Sequence, residues 1–287
     1  MTKTLTDSIV QLFRPQLPQW ACEFTARHVI VAGVDANRSR IQSKTASEMA
    51  IGADRDRQKT VVRDLLRAAS FKGSEIAVVI PDESARIAFV TAETLPKTLK
   101  EQHTFIRWKL KKSVPFDVDT AQVAFRVVET KSDGLELLVA LSPREVVERY
   151  ENLMEELDIH AGHVVPSTLA ALNLVNPPAD DMLFVKVAPD CVTTTVFQNR
   201  HVRFYRRVAE LGLYESVYPT VLYYQDKLGG TAFRQMIVCS YQPDSKDAVA
   251  ELQERIGIPA QALEPRHVED IYKPALGAVH LSWANLI

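Results

Sequence analysis

The sequence predicts a mixed α/β protein with two similar halves and a small α/β subdomain inserted into the first half. Four strand-like runs, with a helical pattern before the last, recur roughly 160 residues later. Between residues 81 and 141 three further strand-like runs and a helix interrupt the first copy. This order predicts sheets flanked by helices. The matching runs are 20–24, 28–34, 40–43 and 76–80, then 183–187, 192–197, 202–206 and 236–239.

The composition indicates a globular protein with a sizeable core. Of the 287 residues, 46% are hydrophobic and 24% are charged. The formal net charge of −2 gives no electrostatic reason to expect nucleic-acid binding. The cysteines, Cys22, Cys191 and Cys239, are far apart, which favours a reducing compartment over a disulfide framework or a zinc site.

The chain carries no signal that we would expect of an exported or membrane-spanning protein. No apolar run approaches the roughly 18 residues that cross a bilayer, and no basic segment precedes an apolar leader. Residues 9–13 form a short amphipathic stretch, which is expected to pack on the body or, alternatively, to lie on a membrane surface. We therefore expect a cytoplasmic protein whose contact with a membrane is indirect.

These patterns predict four regions along the chain. Residues 1–19 form an N-terminal extension, and residues 81–141 form the inserted subdomain. The first half comprises residues 20–80 and 142–180, and a shortened second half comprises residues 181–287.

Two helices in the first part of the chain have clear apolar stripes. The helix expected at 55–70 buries Val61, Val62, Leu65, Leu66 and Ala69, and the acidic and basic residues from 54 to 57 form its solvated start. The helix expected at 97–112 has an inner stripe of Leu99, Ile106 and Leu110, with Trp108 on the opposite face.

Three short motifs have simple structural interpretations. Ser142 is expected to cap the next helix, with a proline at its first position. Gly229 and Gly230 are expected to end a helix instead of binding phosphate. His160 and His163 have the spacing of a metal pair, but the glycine between them indicates a turn, and we expect no metal site.

The strand–helix order and the inserted subdomain carry a resemblance to a known family. The order is typical of the actin/Hsp70/hexokinase architecture, in which two ribonuclease-H-like halves face each other across a cleft. Within the insertion, Leu-Pro at 95–96, Phe-Ile-Arg-Trp at 105–108 and Val-Pro-Phe at 114–116 resemble the actin-like PilM proteins of type IV pilus assembly. The sequence departs from that family at Lys109, Lys111 and Lys112, where the family is usually acidic.

The resemblance implies a scaffold that binds proteins. In the family, a groove between the inserted subdomain and the first half holds the N-terminal cytoplasmic tail of the inner-membrane protein PilN. It implies partner contacts at Arg107, Trp108 and Lys111 and further contacts with motor or platform proteins. The alternative for Trp108 is that it packs against a neighbouring element. The lysines are expected to form a solvated face, or else to bind an acidic partner or anionic lipid headgroups.

The nucleotide motifs of actin-like ATPases are degenerate here. Such proteins need an acid for the hydrated metal and small residues where the backbone approaches phosphate and adenine. When this sequence is aligned with the family, bulky side chains or charges of the opposite sign stand at these positions. The segment between Arg207 and Met236 is also shorter than in the family. We therefore expect no bound ATP or magnesium, no metal and no catalytic residue. The aligned positions are Glu23, Thr25 and Arg27, then Lys186 and Ala188, then Ser240 and Tyr241.

Two other functions remain open at this point. One is an active actin-like ATPase or small-molecule kinase, which needs a catalytic carboxylate and a phosphate-binding loop in the cleft. The other is a cytoplasmic component of type II secretion of the GspL kind, which has the same fold.

Overall fold

The computed structural model describes residues 18–38, 40–49, 53–132, 134–209, 211–241, 245–264 and 268–279. The amphipathic stretch at residues 9–13 lies outside these ranges. Among the residues that the structure describes, no helix combines the length and the apolar character needed to cross a bilayer.

The described residues form thirteen strands and seven α-helices. The strands are β1 (Trp20–Phe24), β2 (His28–Val34), β3 (Ile41–Glu48), β4 (Glu75–Ile80), β5 (Arg86–Ala92), β6 (Gln122–Lys131), β7 (Gly134–Ser142), β8 (His160–Pro166), β9 (Met182–Val187), β10 (Cys191–Gln198), β11 (His201–Ala209), β12 (Gln235–Ser240) and β13 (Ala260–Ala262). The helices are α1 (Arg55–Ala68), α2 (Leu99–Leu110), α3 (Arg144–Glu155), α4 (Ser167–Leu172), α5 (Leu213–Lys227), α6 (Lys246–Ile256) and α7 (Lys273–Ala278). Short 3-10 turns occupy Asp82–Ser84 and Asp270–Tyr272.

The two halves repeat one sheet topology. The first sheet has the order β3-β2-β1-β4-β8 and the second the order β11-β10-β9-β12-β13. In each sheet the first three strands of the chain pair antiparallel, and the fourth and fifth strands join in parallel. The duplicated α/β architecture predicted from the sequence is confirmed.

Each sheet has one face covered by helices of its own half. Cys22 and Phe24 pack with α1 and α3 on the outer face of the first sheet. Leu183 and Val185 pack with α5 and α6 on the outer face of the second sheet. Because strand side chains alternate, the residues between these, including Glu23, point to the inner face, which looks towards the other half.

The helices α4 and α7 lie between the two halves and cross from one to the other. Helix α7, near the end of the described chain, packs on the inner face of the first sheet beside Ala21 and Ile30. Ala171 and Leu172 of α4 pack on Phe184 of the second sheet. The two halves therefore share buried cores.

The inserted subdomain is a three-stranded sheet of order β5-β7-β6 with α2 on one face. Its other face contributes Ile87 and Leu138 to the core that contains Phe184 of the second half. Arg203 of β11 also forms ion pairs with Glu129 and Glu136 of the subdomain. The subdomain, although inserted in the first half, is thus packed against the second.

Helix α1 and its predicted stripe are confirmed. All five predicted residues are buried. The Asp54 side chain accepts a hydrogen bond from the Arg57 amide at 2.8 Å and so caps the helix. Helix α5 ends at Lys227, and Gly229 follows with a φ of +66°, so the glycine pair ends the helix as predicted.

Three local predictions are wrong. Ser142 does not cap α3, because its hydroxyl donates to the Ser84 carbonyl at 2.6 Å. Leu99 at the first position of α2 is 69% exposed, whereas Leu95 of the preceding segment packs on the subdomain core. His160 and His163 lie in β8, and the irregularity around Gly162 is a shift of strand register instead of a turn.

Candidate functional site

Two charged residues occupy equivalent positions in the repeated sheets. Glu23 lies on β1 and Lys186 on β9, the first strand of each half, and both side chains point to the inner face. Glu23 is fully buried and Lys186 is 1% exposed. These are two of the positions that the sequence aligned with the nucleotide motifs of actin-like ATPases, and the fold places them between the halves.

A buried ion pair joins the two halves directly. The Lys186 ammonium donates to Asp82 Oδ2 at 2.8 Å. Asp82, which follows β4 in the first half, also accepts hydrogen bonds of 2.7 Å from the Thr168 amide and from the Thr168 hydroxyl. Three donors therefore surround this carboxylate, which compensates much of the cost of burying it.

Glu23 is held by two hydroxyl groups on one oxygen. Ser167 Oγ donates to Glu23 Oε1 at 2.6 Å, and the Tyr241 hydroxyl donates to the same oxygen. The two hydroxyl oxygens are 2.8 Å apart, and the Lys186 ammonium lies 5.0 Å from the centre of the Tyr241 ring. Glu23 Oε2 is buried with no hydrogen-bond partner. Tyr241 follows β12, so this contact also links the two halves.

Burial sets the ionisation of this cluster. It raises the pKa of Glu23 to about 7, although Lys186, Ser167 and Tyr241 act in the opposite direction. Burial also opposes the charge of Lys186, but the carboxylates of Asp82 and Glu23 outweigh it and raise the pKa of this ammonium. Because Asp82 already neutralises Lys186, an ionised Glu23 adds an uncompensated buried charge.

A second buried pair lies beside the first. Asp270 accepts a hydrogen bond from the Ser240 amide at 2.9 Å and pairs with Lys273, which is 1% exposed. The Lys273 ammonium also donates to the Leu263 carbonyl. Ser240, predicted to replace a glycine of the adenine motif, therefore connects β12 to this pair through its backbone.

The remaining aligned positions lie in turns. Thr25 forms the turn between β1 and β2, because its hydroxyl oxygen accepts hydrogen bonds from the amides of Arg27 at 3.2 Å and His28 at 2.8 Å. Arg27 is exposed at this turn. Ala188 is half-buried, and its amide donates to the Cys191 carbonyl at 2.9 Å, closing the turn between β9 and β10.

Sequence reasoning missed the partners of Glu23 and Lys186. One signal could have found them: a lysine in the apolar run of β9 must be buried and needs an acid nearby. Asp82 directly follows the apolar run of β4, and a Ser-Thr pair follows β8. The missed residues are Asp82, Ser167, Thr168, Asp270 and Lys273.

The cluster around Glu23 and Lys186 is closed to solvent. Its most exposed member is Tyr241, at 8%. Buried acids, ammonium groups and hydroxyls that satisfy one another can hold the halves together, but they present no accessible group to a ligand. Within the part of the chain that the structure describes, no group of three His, Cys, Asp or Glu side chains could hold a metal ion.

The predicted partner-binding residues lie on α2 of the inserted subdomain and near its end. The Arg107 guanidinium donates to the Ala121 carbonyl at 2.9 Å, and Lys111 pairs with Asp119 at 2.8 Å, so both hold the subdomain together. Trp108 is 69% exposed, and its ring contacts come from Phe105 and Lys109 of the same helix. The alternative in which Trp108 packs against a neighbouring element is therefore wrong.

The fold resembles those of several solved structures. A chain of the PilM-PilN type IV pilus biogenesis complex matches with a TM-score of 0.71 and 14% identity, over 94% of this chain and 98% of that one. A Bacteroides thetaiotaomicron protein with an actin-like ATPase fold and unknown function matches at 0.57 and 9% identity, over 89% and 95%. The cytoplasmic domain of EpsL, an inner-membrane component of the Vibrio cholerae type II secretion system, matches at 0.51 and 10% identity, over 78% and 83%.

The sequence matches no family model and no curated protein. The likeness is therefore one of structure, and it agrees with the repeated sheet topology. This chain has the actin-like fold, with a small three-stranded α/β subdomain inserted in the first half.

Proposed function

We propose that this protein is a cytoplasmic scaffold of a type IV pilus or related assembly platform that works without hydrolysing ATP. It binds the cytoplasmic tail of an inner-membrane partner, as the PilM-PilN complex pairs two pilus proteins. Two findings support the proposal: the likeness to that complex over almost the whole chain, and the closed centre between the halves.

The observation that carries the proposal is the buried cluster built from residues that the resemblance aligns with the nucleotide motifs of actin-like ATPases. The Lys186 ammonium puts a positive charge at a position where a metal-binding acid is needed, and it is already paired with Asp82. Tyr241, which the resemblance aligns with a glycine of the adenine motif, is buried, and its hydroxyl donates a hydrogen bond to Glu23. Binding ATP with magnesium would require both contacts to break and three buried ionisable groups, Glu23, Asp82 and Lys186, to be rearranged.

The partner is proposed to bind beside the inserted subdomain. The tail of a PilN-like protein lies in the groove between this subdomain and the first half, where an extended peptide adds hydrogen bonds and buries apolar side chains. Of the three residues predicted to contact it, Trp108 is 69% exposed and is the one that offers an anchor. The protein is thereby held at the inner membrane, where motor or platform proteins are further partners, and no nucleic acid takes part.

Binding of the tail is tested with synthetic peptides. Peptides that correspond to the cytoplasmic tails of the inner-membrane proteins encoded nearby are titrated in fluorescence anisotropy. We expect one tail to bind with a Kd in the micromolar range or below, and Trp108→Ala to weaken it at least tenfold without unfolding the protein. If no tail binds the wild-type protein, the scaffold proposal is wrong.

Nucleotide binding is tested by thermal unfolding with ATP and magnesium. The closed cluster predicts no increase in the unfolding temperature at millimolar ATP. The alternative of an active ATPase or kinase requires nucleotide binding, which would stabilise the folded state by more than about 2 kcal/mol at ATP well above its Kd. Such a shift, abolished by Glu23→Ala, would replace our proposal with the enzymatic one.

The likeness to EpsL favours one second candidate, a component of a type II secretion platform. This role uses the same fold and also requires a membrane partner. The peptide titration separates the two candidates, because the tails of pilus proteins and of type II secretion proteins are tested side by side. Binding of a secretion tail alone would assign the protein to secretion.

A further inference from the structure

The outer side of α2 carries a surface that the proposed function does not use fully. We define the lysine–tryptophan face as Lys97, Lys100, Trp108, Lys109 and Lys112. All five side chains are exposed, and Trp108 is 69% exposed. A large apolar side chain that the described residues leave this exposed makes the face a candidate interaction surface.

The charges of this face are not compensated locally. None of Lys97, Lys100, Lys109 and Lys112 forms an ion pair with a carboxylate in the described ranges, whereas Lys111 beside them is paired with Asp119. Glu101 is the acid on the helix surface here, and its carboxylate accepts hydrogen bonds from the Thr98 amide and hydroxyl in the helix cap. A chain whose net charge is −2 thus presents an open positive patch.

The shape of this face favours a flat partner. The concavity on it is lined by one helix and its cap: Thr98, Lys100, Glu101, Thr104, Phe105 and Trp108. Peptides are bound at sheet edges or in grooves between elements, because two walls are needed to bury an extended segment or a helix. A single convex helix with lysines around an exposed tryptophan instead matches the interface of a bilayer. There the indole sits at the headgroup level, and lysines reach phosphate groups on long apolar stems.

We propose that the lysine–tryptophan face docks directly on anionic lipid headgroups of a membrane. Each lysine near an anionic surface adds roughly fivefold to the affinity, and Trp108 inserts among the headgroups. The Lys109 ammonium lies 5.7 Å from the centre of the Trp108 ring, so both groups approach the surface together. This contact needs no protein partner, but it uses Trp108, which the proposed function assigns to the tail, so lipid and tail compete for that side chain.

The test is co-sedimentation of the full chain with lipid vesicles. We expect binding to vesicles that contain phosphatidylglycerol and none to vesicles of phosphatidylcholine, with binding lost as salt is raised. Lys109→Glu with Lys112→Glu is expected to reduce the affinity at least tenfold. The matched control is Lys72→Glu with Lys227→Glu, which changes the net charge equally at exposed positions outside the face and should bind like the wild-type protein.

Tryptophan emission gives a second readout at the same surface. The chain has three tryptophans, Trp20, Trp108 and Trp283. A blue shift on addition of phosphatidylglycerol vesicles that the wild-type protein shows and Trp108→Phe lacks would therefore report insertion of Trp108. Absence of wild-type binding at low salt, or equal loss in the face and control variants, would overturn the proposal. If the wild-type protein binds no lipid, and Lys109→Glu with Lys112→Glu abolishes binding of the tail peptide, the face binds an acidic peptide and not a membrane.

Discussion

Glu23 shows how one buried side chain responds to the charges around it. Its carboxyl accepts hydrogen bonds from the hydroxyl groups of Ser167 and Tyr241, and it lies in the electrostatic field of Lys186 and Asp82. Since Lys186 is already paired, the neutral form of Glu23 leaves the cluster electrically balanced. The polar interior is therefore most stable with Glu23 protonated.

At the residue scale, this predicts that stability decreases as pH rises. The folded pKa of Glu23 is about 7, above the ordinary value of 4.5, so the folded state holds a proton that the unfolded state loses between these values. The stabilisation is complete below the ordinary pKa and is lost as pH rises through the folded one. Urea unfolding should show a loss of roughly 2 kcal/mol between about pH 5 and pH 8 that Glu23→Gln removes.

His163 titrates in the same pH range, but its effect on the free energy of unfolding has the opposite sign. Burial lowers the pKa of His163, so its contribution to stability falls as pH falls below its ordinary value. The prediction therefore concerns the difference between the wild-type protein and Glu23→Gln, in which the contribution of His163 cancels. Equal pH profiles for the two proteins would show that Glu23 is ionised in the folded state throughout this range.

At the scale of elements, the packing of α4 on α7 depends on one close backbone approach. A Cβ on Gly277 would lie 2.0 Å from the Ala170 carbonyl oxygen, and the side-chain amide of Asn173 donates a hydrogen bond to the Gly277 carbonyl at 2.8 Å. The two helices follow the fifth strands of the two sheets and meet between the halves. Their contact fixes the distance between the sheets and so the space left for the buried cluster.

Gly277→Ala should accordingly destabilise the protein by about 1–3 kcal/mol, because the helices must separate to admit the methyl group. The comparison variant is Gly229→Ala, where the added methyl meets no atom within 4 Å. Its φ of +66° leaves a conformational cost of about 1–2 kcal/mol and no steric one. Urea unfolding measures both, and a cost at Gly277 no larger than at Gly229 would contradict the close contact.

At the scale of the whole molecule, the halves are joined by shared cores and by the Lys186–Asp82 pair. The core around Ala21 includes Tyr241 and Ala275 of the second half, and the core around Phe184 includes Leu172 of the first half. Elements that share buried surface unfold together. We therefore expect one cooperative transition for the described body.

Lys186→Met tests whether the ion pair is essential to this coupling. Removing the ammonium leaves Asp82 as a buried unpaired acid, which costs about 3–5 kcal/mol, whereas adding Asp82→Asn should restore most of the loss. Lys111→Met removes an exposed pair and serves as the control, with little change expected. Because the shared apolar cores remain, calorimetry should show one transition in both variants, at a lower temperature in the single variant than in the double variant. Two transitions in the single variant would show that coupling of the halves requires the ion pair.

The fold could be predicted because it depends on short-range patterns in the sequence. Apolar runs of strand length and helical stripes such as that of α1 depend on neighbouring residues, and their recurrence indicated the duplication. The outward position of Trp108 followed from helical periodicity. The same periodicity predicted Leu99 to be buried, but the structure exposes it at the first position of α2, while Leu95 of the preceding segment contacts the subdomain core.

Only some residues of the candidate site could be recognised from the sequence. Glu23, Lys186 and Tyr241 were recognised as residues that do not suit a nucleotide, but their partners were not found. A buried charge needs compensation, yet the sequence does not say where it comes from: Asp82 is 104 residues from Lys186, and Tyr241 is 218 residues from Glu23. Local chemistry therefore determined the strands, the helices and the degenerate motifs. Which side chains meet between the halves was decided only when the two sheets came face to face, because the cost of burying charge acts through space and not along the chain.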